Sequence, residues 1–270
     1  RYQYYDFLAL MADYNIPWHE RQHGQLFCDR SANDIVQMLL AECKKVSVQI
    51  QLNTQIESVT NDPAEHFYIK ASSGNTAFQF QANSLVIATG GLSVAKMGAS
   101  DFGLRIARQF ALNIIPTRAG LVPFTYSAKD SKRYKQLAGI ALEAELTYDG
   151  QIFKENLLFT HKGISGPVVL QISSYWQAGT VQSIHIKLFP ELDFYDWLSV
   201  QKTAQANLLV KNILAQKIPR RLVDFFCAIH NIDKAIKQYN SQELQKITDV
   251  FQNWQFWPDG TEGYRVAEVT

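Results

Sequence analysis

A short apolar run that ends in two glycines constrains the fold of this chain more than any other feature. Residues 85–88 read Leu-Val-Ile-Ala, and Thr89, Gly90 and Gly91 follow directly. A run of this length and composition is typical of a strand that is covered on both faces. Because ligands of open α/β sheets bind at the carboxyl ends of strands, the pattern predicts an α/β fold with a ligand site at these glycines.

An amphipathic helix is predicted to follow this turn. Phe102, Ile106 and Phe110 recur at i, i+4 and i+8, which places them on one face of a helix. Ser100 or Asp101 can cap its first turn. The stretch is therefore predicted to form a strand, a glycine turn, a loop and a helix, in that order.

The residues before this stretch carry helix and strand signals in turn. We predict a helix over 4–14 and strand structure over 18–28, followed by a helix that Ser31 starts in a capping-box-like pattern with Asp34. Residues 46–52 alternate apolar and polar with period two, which predicts a half-buried strand. Shorter strands are predicted over 55–60, 66–71 and 77–81, with Gly74 and Asn75 in a hairpin turn.

The second half of the chain reads first as short strands and then as helices. Asp149 and Gly150 lie between alternating segments and predict a hairpin, and a further strand is predicted over 181–188. Ser165 is predicted to cap a short helix that has Pro167 near its first turn. Apolar residues at helical spacing then fill 195–251, which predicts a small helical part.

The composition indicates which kinds of molecule the protein is expected to bind. The chain has 270 residues, of which 47% are hydrophobic and 19% charged, with a formal net charge of +1. This balance gives no indication of a nucleic-acid or membrane partner, and we interpret the basic cluster of Lys217, Arg220 and Arg221 as a solvated helix face. The sequence shows no transmembrane run and no signal peptide, so we predict a cytoplasmic protein. Its three cysteines read as free thiols, and its histidines lack metal-ligand spacing, so no metal site is predicted.

Several motifs, in order along the chain, resemble one family. ATGGLS starts at Ala88, KMGAS at Lys96, GLVPF at Gly120, LFTHKGISGP at Leu158 and TEGYRVAEVT at Thr261. Together they resemble the aminoacetone oxidase family of FAD-binding oxidoreductases, the YhiN-like and BaiN-like flavoproteins. The resemblance implies FAD-dependent hydride transfer involving a small organic substrate or NAD(P)H, with NADH or NADPH as a possible electron donor.

The resemblance also implies a domain arrangement. The chain is expected to be part of a flavoprotein with two dinucleotide-binding domains, in which 1–110 is a partial, Rossmann-like FAD-binding domain. Residues 111–190 and 255–267 are expected to form an inserted, barrel-like β-rich domain, and 191–254 a helical subdomain. Family members carry a glycine-rich dinucleotide motif before the matching region and a second flavin-contacting stretch after it. We therefore expect a central fragment that alone neither binds FAD nor turns over substrate.

The predicted cofactor site follows from the matched motifs. The resemblance assigns Ala88, Thr89, Gly90 and Gly91 to the flavin wall, with Gly103 as a further contact. Ile56 is assigned through its main chain, because a strand at this place in related flavoproteins contacts the adenine of FAD. The alternative is that this strand belongs to the sheet without contacting the cofactor. The predicted partner is a small-molecule substrate, without nucleic acid or membrane, and the oligomeric state is left open.

His161 is the candidate catalytic residue, because imidazole titrates near neutral pH and the residue lies in a glycine-punctuated turn close to Ser165. The alternative is that His161 stabilises the loop. A Ser/His hydrolase is disfavoured, since Pro167 stands where the G-x-S-x-G pattern needs its final glycine. A non-catalytic interaction module is the other alternative, and the ATGG motif argues against it.

Overall fold

The computed structural model of the chain describes residues 1–21, 24–62, 66–180 and 182–270. It divides into two units, Arg1–Leu85 and Val86–Thr270. Two positions of the predicted 18–28 strand region, 22 and 23, and the first position of the predicted 181–188 strand lie outside the described residues. The predicted domain boundaries at 110, 190 and 255 stay a prediction.

The first unit combines two helices with antiparallel strands. Its elements are α1 (Tyr4–Asp13), β1 (Trp18–Glu20), β2 (Leu26–Cys28), α2 (Asn33–Lys45), β3 (Gln55–Asn61), β4 (Phe67–Ser73) and β5 (Thr76–Ala82). Strands β1 and β2 form a hairpin, and β3, β4 and β5 form a meander whose last turn contains Gly74 at φ +57°. Met11, Ile16 and Met38 form the small core of this unit. These helices and strands confirm the predictions to within a few residues.

Two predicted strands are absent from the described structure. Residues 46–52 and 85–88 form neither helix nor strand. Most of their apolar side chains are exposed, with 74% of Leu52 and 83% of Val86 open to solvent. A strand forms only when its backbone N–H and C=O groups find partners on a neighbour, and no described strand pairs with either segment. The described strand pairs are all antiparallel, so the described chain is mixed α and β without a parallel dinucleotide-binding sheet.

The second unit contains the remaining elements. In chain order these are α3 (Phe102–Gln109), β6 (Phe124–Thr125), α4 (Ala128–Tyr134), β7 (Ala141–Tyr148), β8 (Gln151–Phe159), β9 (Gly163–Ser165), α5 (Pro167–Ser173), β10 (Ile184–Lys187), α6 (Phe194–Ala204), α7 (Val210–Leu214), α8 (Arg220–His230), α9 (Ser241–Gln252), β11 (Trp254–Phe256) and β12 (Gly260–Thr261). Within the described residues, β6 to β12 form one antiparallel sheet in the order β11-β10-β7-β8-β9-β6-β12. Helices α6 to α9 are inserted between β10 and β11.

Turn chemistry explains most of the second unit's connections. Asp149 and Gly150 both have positive φ, at +47° and +74°, and Tyr148 pairs with Gln151 across the predicted hairpin. Two helix starts differ from prediction, because Ser165 lies in β9 and Gly166 is the residue before α5. Helix α2 likewise starts after Ala32, and Ser31 Oγ accepts a hydrogen bond from the N–H of Asn33, two residues on, without a capping box.

The sheet and the helices of the second unit share one hydrophobic core. Trp254 of β11 stacks on Phe159 of β8 at a centroid distance of 5.8 Å and meets Phe226 of α8 edge-on at 5.5 Å. The helical part therefore packs on the sheet through a common set of aromatic rings. Among the described residues, no helix has the length and apolar character that crossing a membrane requires.

Gly163 is a position where this packing tolerates no side chain. A Cβ atom placed on Gly163 would overlap the carbonyl oxygen of Phe124 on the neighbouring strand β6. We predict that Gly163→Ala lowers the free energy of unfolding by about 1–3 kcal/mol, because the backbone must shift to remove the overlap. Urea denaturation measures this loss.

Gly260→Ala is the matched control, since Gly260 pairs with the other side of β6. A Cβ atom there would lie 3.5 Å from Oγ1 of Thr125, which is an ordinary contact. We expect a change within about 0.5 kcal/mol for this variant. Equal losses in both variants would contradict the importance of the Gly163 contact.

Candidate functional site

A cavity of about 820 Å³ in the second unit contains most of the predicted site. Thr89, Gly90, Gly91 and Gly103 all line it, so the structure brings these four predicted residues together. The other lining residues are Ile87, Ser93, Val94, Ala99, Leu104, Thr117, Glu268, Val269 and Thr270. Ala88 is exposed and is not a lining residue, and Ile56 lies in β3 of the first unit. The cofactor roles of all six residues stay a prediction.

The last residues of the chain hold one wall of this cavity. The Ser93 N–H donates a hydrogen bond to Oγ1 of Thr270 at 2.9 Å, and the two side-chain hydroxyl oxygens are also 2.9 Å apart. Val269 pairs with Gly120 through two backbone hydrogen bonds of 3.0 and 3.3 Å. The segment 268–270 therefore connects the glycine turn to the residues that lead into β6.

The glycines of this turn are needed for the fold of the loop itself. Gly90 has φ +71°, a left-handed conformation that favours glycine. A Cβ on Gly91 would come within 2.8 Å of Oγ1 of Thr270, and one on Gly103 within 3.1 Å of Cγ2 of Ile87. At these positions the backbone lies so close to neighbouring residues that a side chain would collide with them. Without side chains, Gly90 and Gly91 leave their main chain at the cavity wall.

The cavity lining is mostly apolar, and its polar groups carry little charge. Hydroxyl groups come from Thr89, Ser93, Thr117 and Thr270, and Glu268 contributes a carboxylate. No lysine, arginine or histidine is among the lining residues. Hydroxyls donate and accept hydrogen bonds, so the wall suits a neutral, planar ligand with carbonyl and N–H groups better than it suits a phosphate.

His161 lies outside this cavity. It is exposed in the turn between β8 and β9, while Ser165 belongs to β9 and its backbone pairs with Leu158. The described hydrogen bonds include none between the His161 and Ser165 side chains. The structure therefore gives no support to a Ser/His pair, and the candidate role of His161 in catalysis stays a prediction. No cluster of metal-ligating side chains occurs among the described residues.

An adjoining cavity contains groups that the sequence analysis missed. It has a volume of about 600 Å³ and shares Thr117 with the first cavity. Trp176 lines it with only 6% of its surface exposed, and its indole N–H has no hydrogen-bond partner in the described structure. Arg118 is a second lining residue, and its guanidinium donates to the carbonyl oxygen of Ser174 at 2.7 Å. A lone tryptophan in sequence predicts core, so only the structure identifies this unpaired donor.

The fold and the cavities define a class of protein: an antiparallel sheet with an inserted helical part on a shared core, next to a glycine-walled cavity. A family profile described as "HI0933-like protein barrel and H2TH domain" matches residues 118–269, which is more than half of the chain. The chain belongs to this HI0933-like family.

Two curated relatives match along the whole chain. The "Ribosomal RNA dihydrouridine synthase" of Escherichia coli (strain K12) is 45% identical over 272 residues, which cover 100% of this chain and 66% of the relative. The protein of the same name from Haemophilus influenzae is 41% identical over 275 residues, with 100% and 67% covered. The chain thus spans about two thirds of the length of these relatives.

These names correct the predictions of the function and of the partner. Hydride transfer to or from a small organic substrate, as in aminoacetone oxidase, is wrong, and so are the interaction module and the hydrolase that stood as alternatives, because both relatives are named as enzymes that make dihydrouridine in RNA. The predicted absence of a nucleic-acid partner is wrong for the same reason. The matched motifs identified the family group, but they carry no information on its substrate.

Proposed function

We propose that this chain provides the glycine-walled cavity and the barrel of a flavin-dependent ribosomal RNA dihydrouridine synthase. The observation that carries the proposal is the identity of 45% and 41% to two relatives of that name over the whole chain. Dihydrouridine differs from uridine by two hydrogens across the C5–C6 bond of the base. The enzyme must therefore add one hydride and one proton to uracil, and NADH or NADPH is the proposed source of the electrons.

The cavity at Thr89–Gly91 is the proposed flavin wall. The neutral hydroxyls of its lining match the carbonyl and N–H edge of a flavin ring system, and the backbone of Gly90 and Gly91 is open to a ligand at the wall. A flavin supplies two-electron reduction when it is bound. In this arrangement Thr89 and Thr117 would bind and orient polar ligand atoms, and Gly103 keeps the first turn of α3 close to the wall.

The adjoining cavity is the proposed seat of the uracil base. Arg118 lines this cavity, and its guanidinium has further N–H groups besides the one that donates to Ser174. The two carbonyl oxygens of uracil accept hydrogen bonds, so either of them can accept from Arg118, and Trp176 forms part of the wall of the same cavity. Because Thr117 lines both cavities, a base bound there would lie next to the flavin wall.

Deletion of the gene tests the function directly. We predict that rRNA from a deletion strain loses dihydrouridine, measured by mass spectrometry of digested nucleosides, and that the wild-type gene restores it. The purified protein with NADH or NADPH should regenerate dihydrouridine in that rRNA. Unchanged dihydrouridine in the deletion strain would contradict the proposal.

A second prediction concerns the flavin wall. In the protein expressed from its complete gene, Gly90→Val should weaken flavin retention by about ten- to a hundredfold, because the branched side chain intrudes at the wall. Flavin absorbance per polypeptide after gel filtration measures the retained cofactor.

Gly98→Val is the matched control for backbone strain. Gly98 has φ +87° in the same loop, but it is not a lining residue and has open space around it. We expect near-normal flavin content in this variant. If both variants lose flavin equally, the loop has misfolded and Gly90 is not specific to the cofactor site.

A further inference from the structure

We propose that helices α4 and α8 and the indole of Trp257 form a surface that binds the ribosomal RNA strand. The inference rests on the proposed function, since it takes rRNA as the partner, but it concerns a part of the molecule outside the two cavities. We call this surface the basic face and define it by Lys129, Lys132, Arg133, Lys135 and Arg221.

The cations of the basic face lie close together and point to solvent. Lys129, Lys132 and Arg133 are exposed and occupy positions i, i+3 and i+4, which share one side of α4. Lys135 follows directly and is also exposed. From α8, Arg221 donates to the carbonyl oxygen of Ala138 at 2.7 Å, and this hydrogen bond places the start of α8 beside the segment that follows α4.

The acidic residues of α4 and α8, Asp130 and Asp224, already have hydrogen-bond partners. Asp130 turns back to the start of α4, where its carboxylate accepts a hydrogen bond from the Ser127 hydroxyl at 2.8 Å. Asp224 pairs with Arg220, with both oxygens 3.0 Å from the guanidinium Nε. Within the described parts of the chain, no cation of the basic face forms an ion pair. The surface therefore presents positive charge that a phosphate backbone complements.

An aromatic pocket lies at one end of the basic face. Its volume is about 230 Å³, and Arg133, His230 and Trp257 are among its lining residues. Trp257 is 52% exposed, although large aromatic rings are usually buried. Arg133 lies near His230, where burial and then the guanidinium charge lower the pKa of the imidazole. Unpaired RNA bases stack on such exposed aromatic rings and arginine planes, and the pocket is large enough for one base.

The aromatic pocket is also close to the proposed uracil site. Trp257 lines the pocket, and Thr261, four residues further along the same segment, lines the cavity that contains Trp176. Four residues span at most about 14 Å even when fully extended. An RNA strand on the basic face is thus within a few nucleotides of the cavity where the base is to be reduced.

Neutralising one side of α4 tests the electrostatic part of this inference. The variant Lys129→Gln/Lys132→Gln/Arg133→Gln removes three charges without a carboxylate partner. We expect its affinity for protein-free small- and large-subunit rRNA to fall roughly ten- to a hundredfold at about 0.1 M salt. The slope of log affinity against log salt should decrease by about 2. An unchanged affinity and slope would overturn the proposal.

The control removes the same number of exposed cations elsewhere. Lys44→Gln/Lys70→Gln/Arg108→Gln changes the net charge equally, and none of the three residues belongs to the basic face. We expect near wild-type affinity for this variant. An equal loss in both variants would show that net charge governs binding and would overturn the assignment of a specific face.

Two substitutions of Trp257 test the aromatic part. Trp257→Ala should weaken rRNA binding by roughly five- to 150-fold, whereas Trp257→Phe keeps a ring for stacking and should retain most of the affinity. Thermal unfolding of each variant checks that the fold is intact. Wild-type affinity in Trp257→Ala would overturn the role of the pocket.

The rate of dihydrouridine formation separates failure of this inference from failure of the proposed function. Loss of the basic face should raise KM for rRNA and leave kcat largely unchanged, because the two cavities are intact. If the wild-type protein is active and the basic-face variants have an unchanged KM for rRNA, only the proposal of the RNA-binding surface is overturned. A wild-type protein that neither binds nor reduces rRNA would overturn both.

Discussion

The aromatic contacts of Trp254 fix the relation between the parts of the second unit. Its indole lies 5.8 Å from Phe159 of the sheet, 5.5 Å from Phe226 of α8 and 5.7 Å from Tyr134 of α4, between ring centroids. Each aromatic pair contributes roughly 0.5–1.5 kcal/mol beyond the burial of its surface. One side chain thus couples the sheet, the inserted helices and the helix that carries most of the basic face. The positions of the surface cations depend on this core, although none of them takes part in it.

Local patterns predicted the elements whose stabilising contacts are near in sequence. The Asp149–Gly150 hairpin and the helix α3 depend on turn geometry and on side chains a few residues apart, and both form as predicted. The runs at 46–52 and 85–88 carry equally clear strand patterns, but a strand also needs a neighbour. The exposure of Leu52 and Val86 shows that a strand-like sequence pattern is not sufficient. A segment with such a pattern becomes a strand only when a neighbouring strand pairs with its backbone.

The sequence predicted the glycine turn of the candidate site, but it did not predict the distant residues that line the rest of the cavity. The turn of Thr89, Gly90 and Gly91 was recognisable because glycines that follow an apolar run are a local signal. Thr270, which contacts this loop through Ser93, is 177 positions from Ser93 in sequence, and no local pattern connects the two residues. The motif around Gly163 is informative in a different way, because that glycine is required by the carbonyl of Phe124. This motif is required by the packing of the sheet, so it identifies the family. It does not indicate whether the substrate is a small molecule or RNA.

The incorrect prediction about nucleic acid has a physical cause. A net charge of +1 averages over 270 residues, whereas an RNA phosphate responds to charges within a screening length of about 8–10 Å. On α4, three cations share one side of a helix of seven residues, and the single acidic residue of that helix is turned to its own N-terminus. Balanced composition is therefore compatible with a strongly basic face. The location of the cations relative to Trp257, which only the fold reveals, decides whether such a face suits an RNA strand.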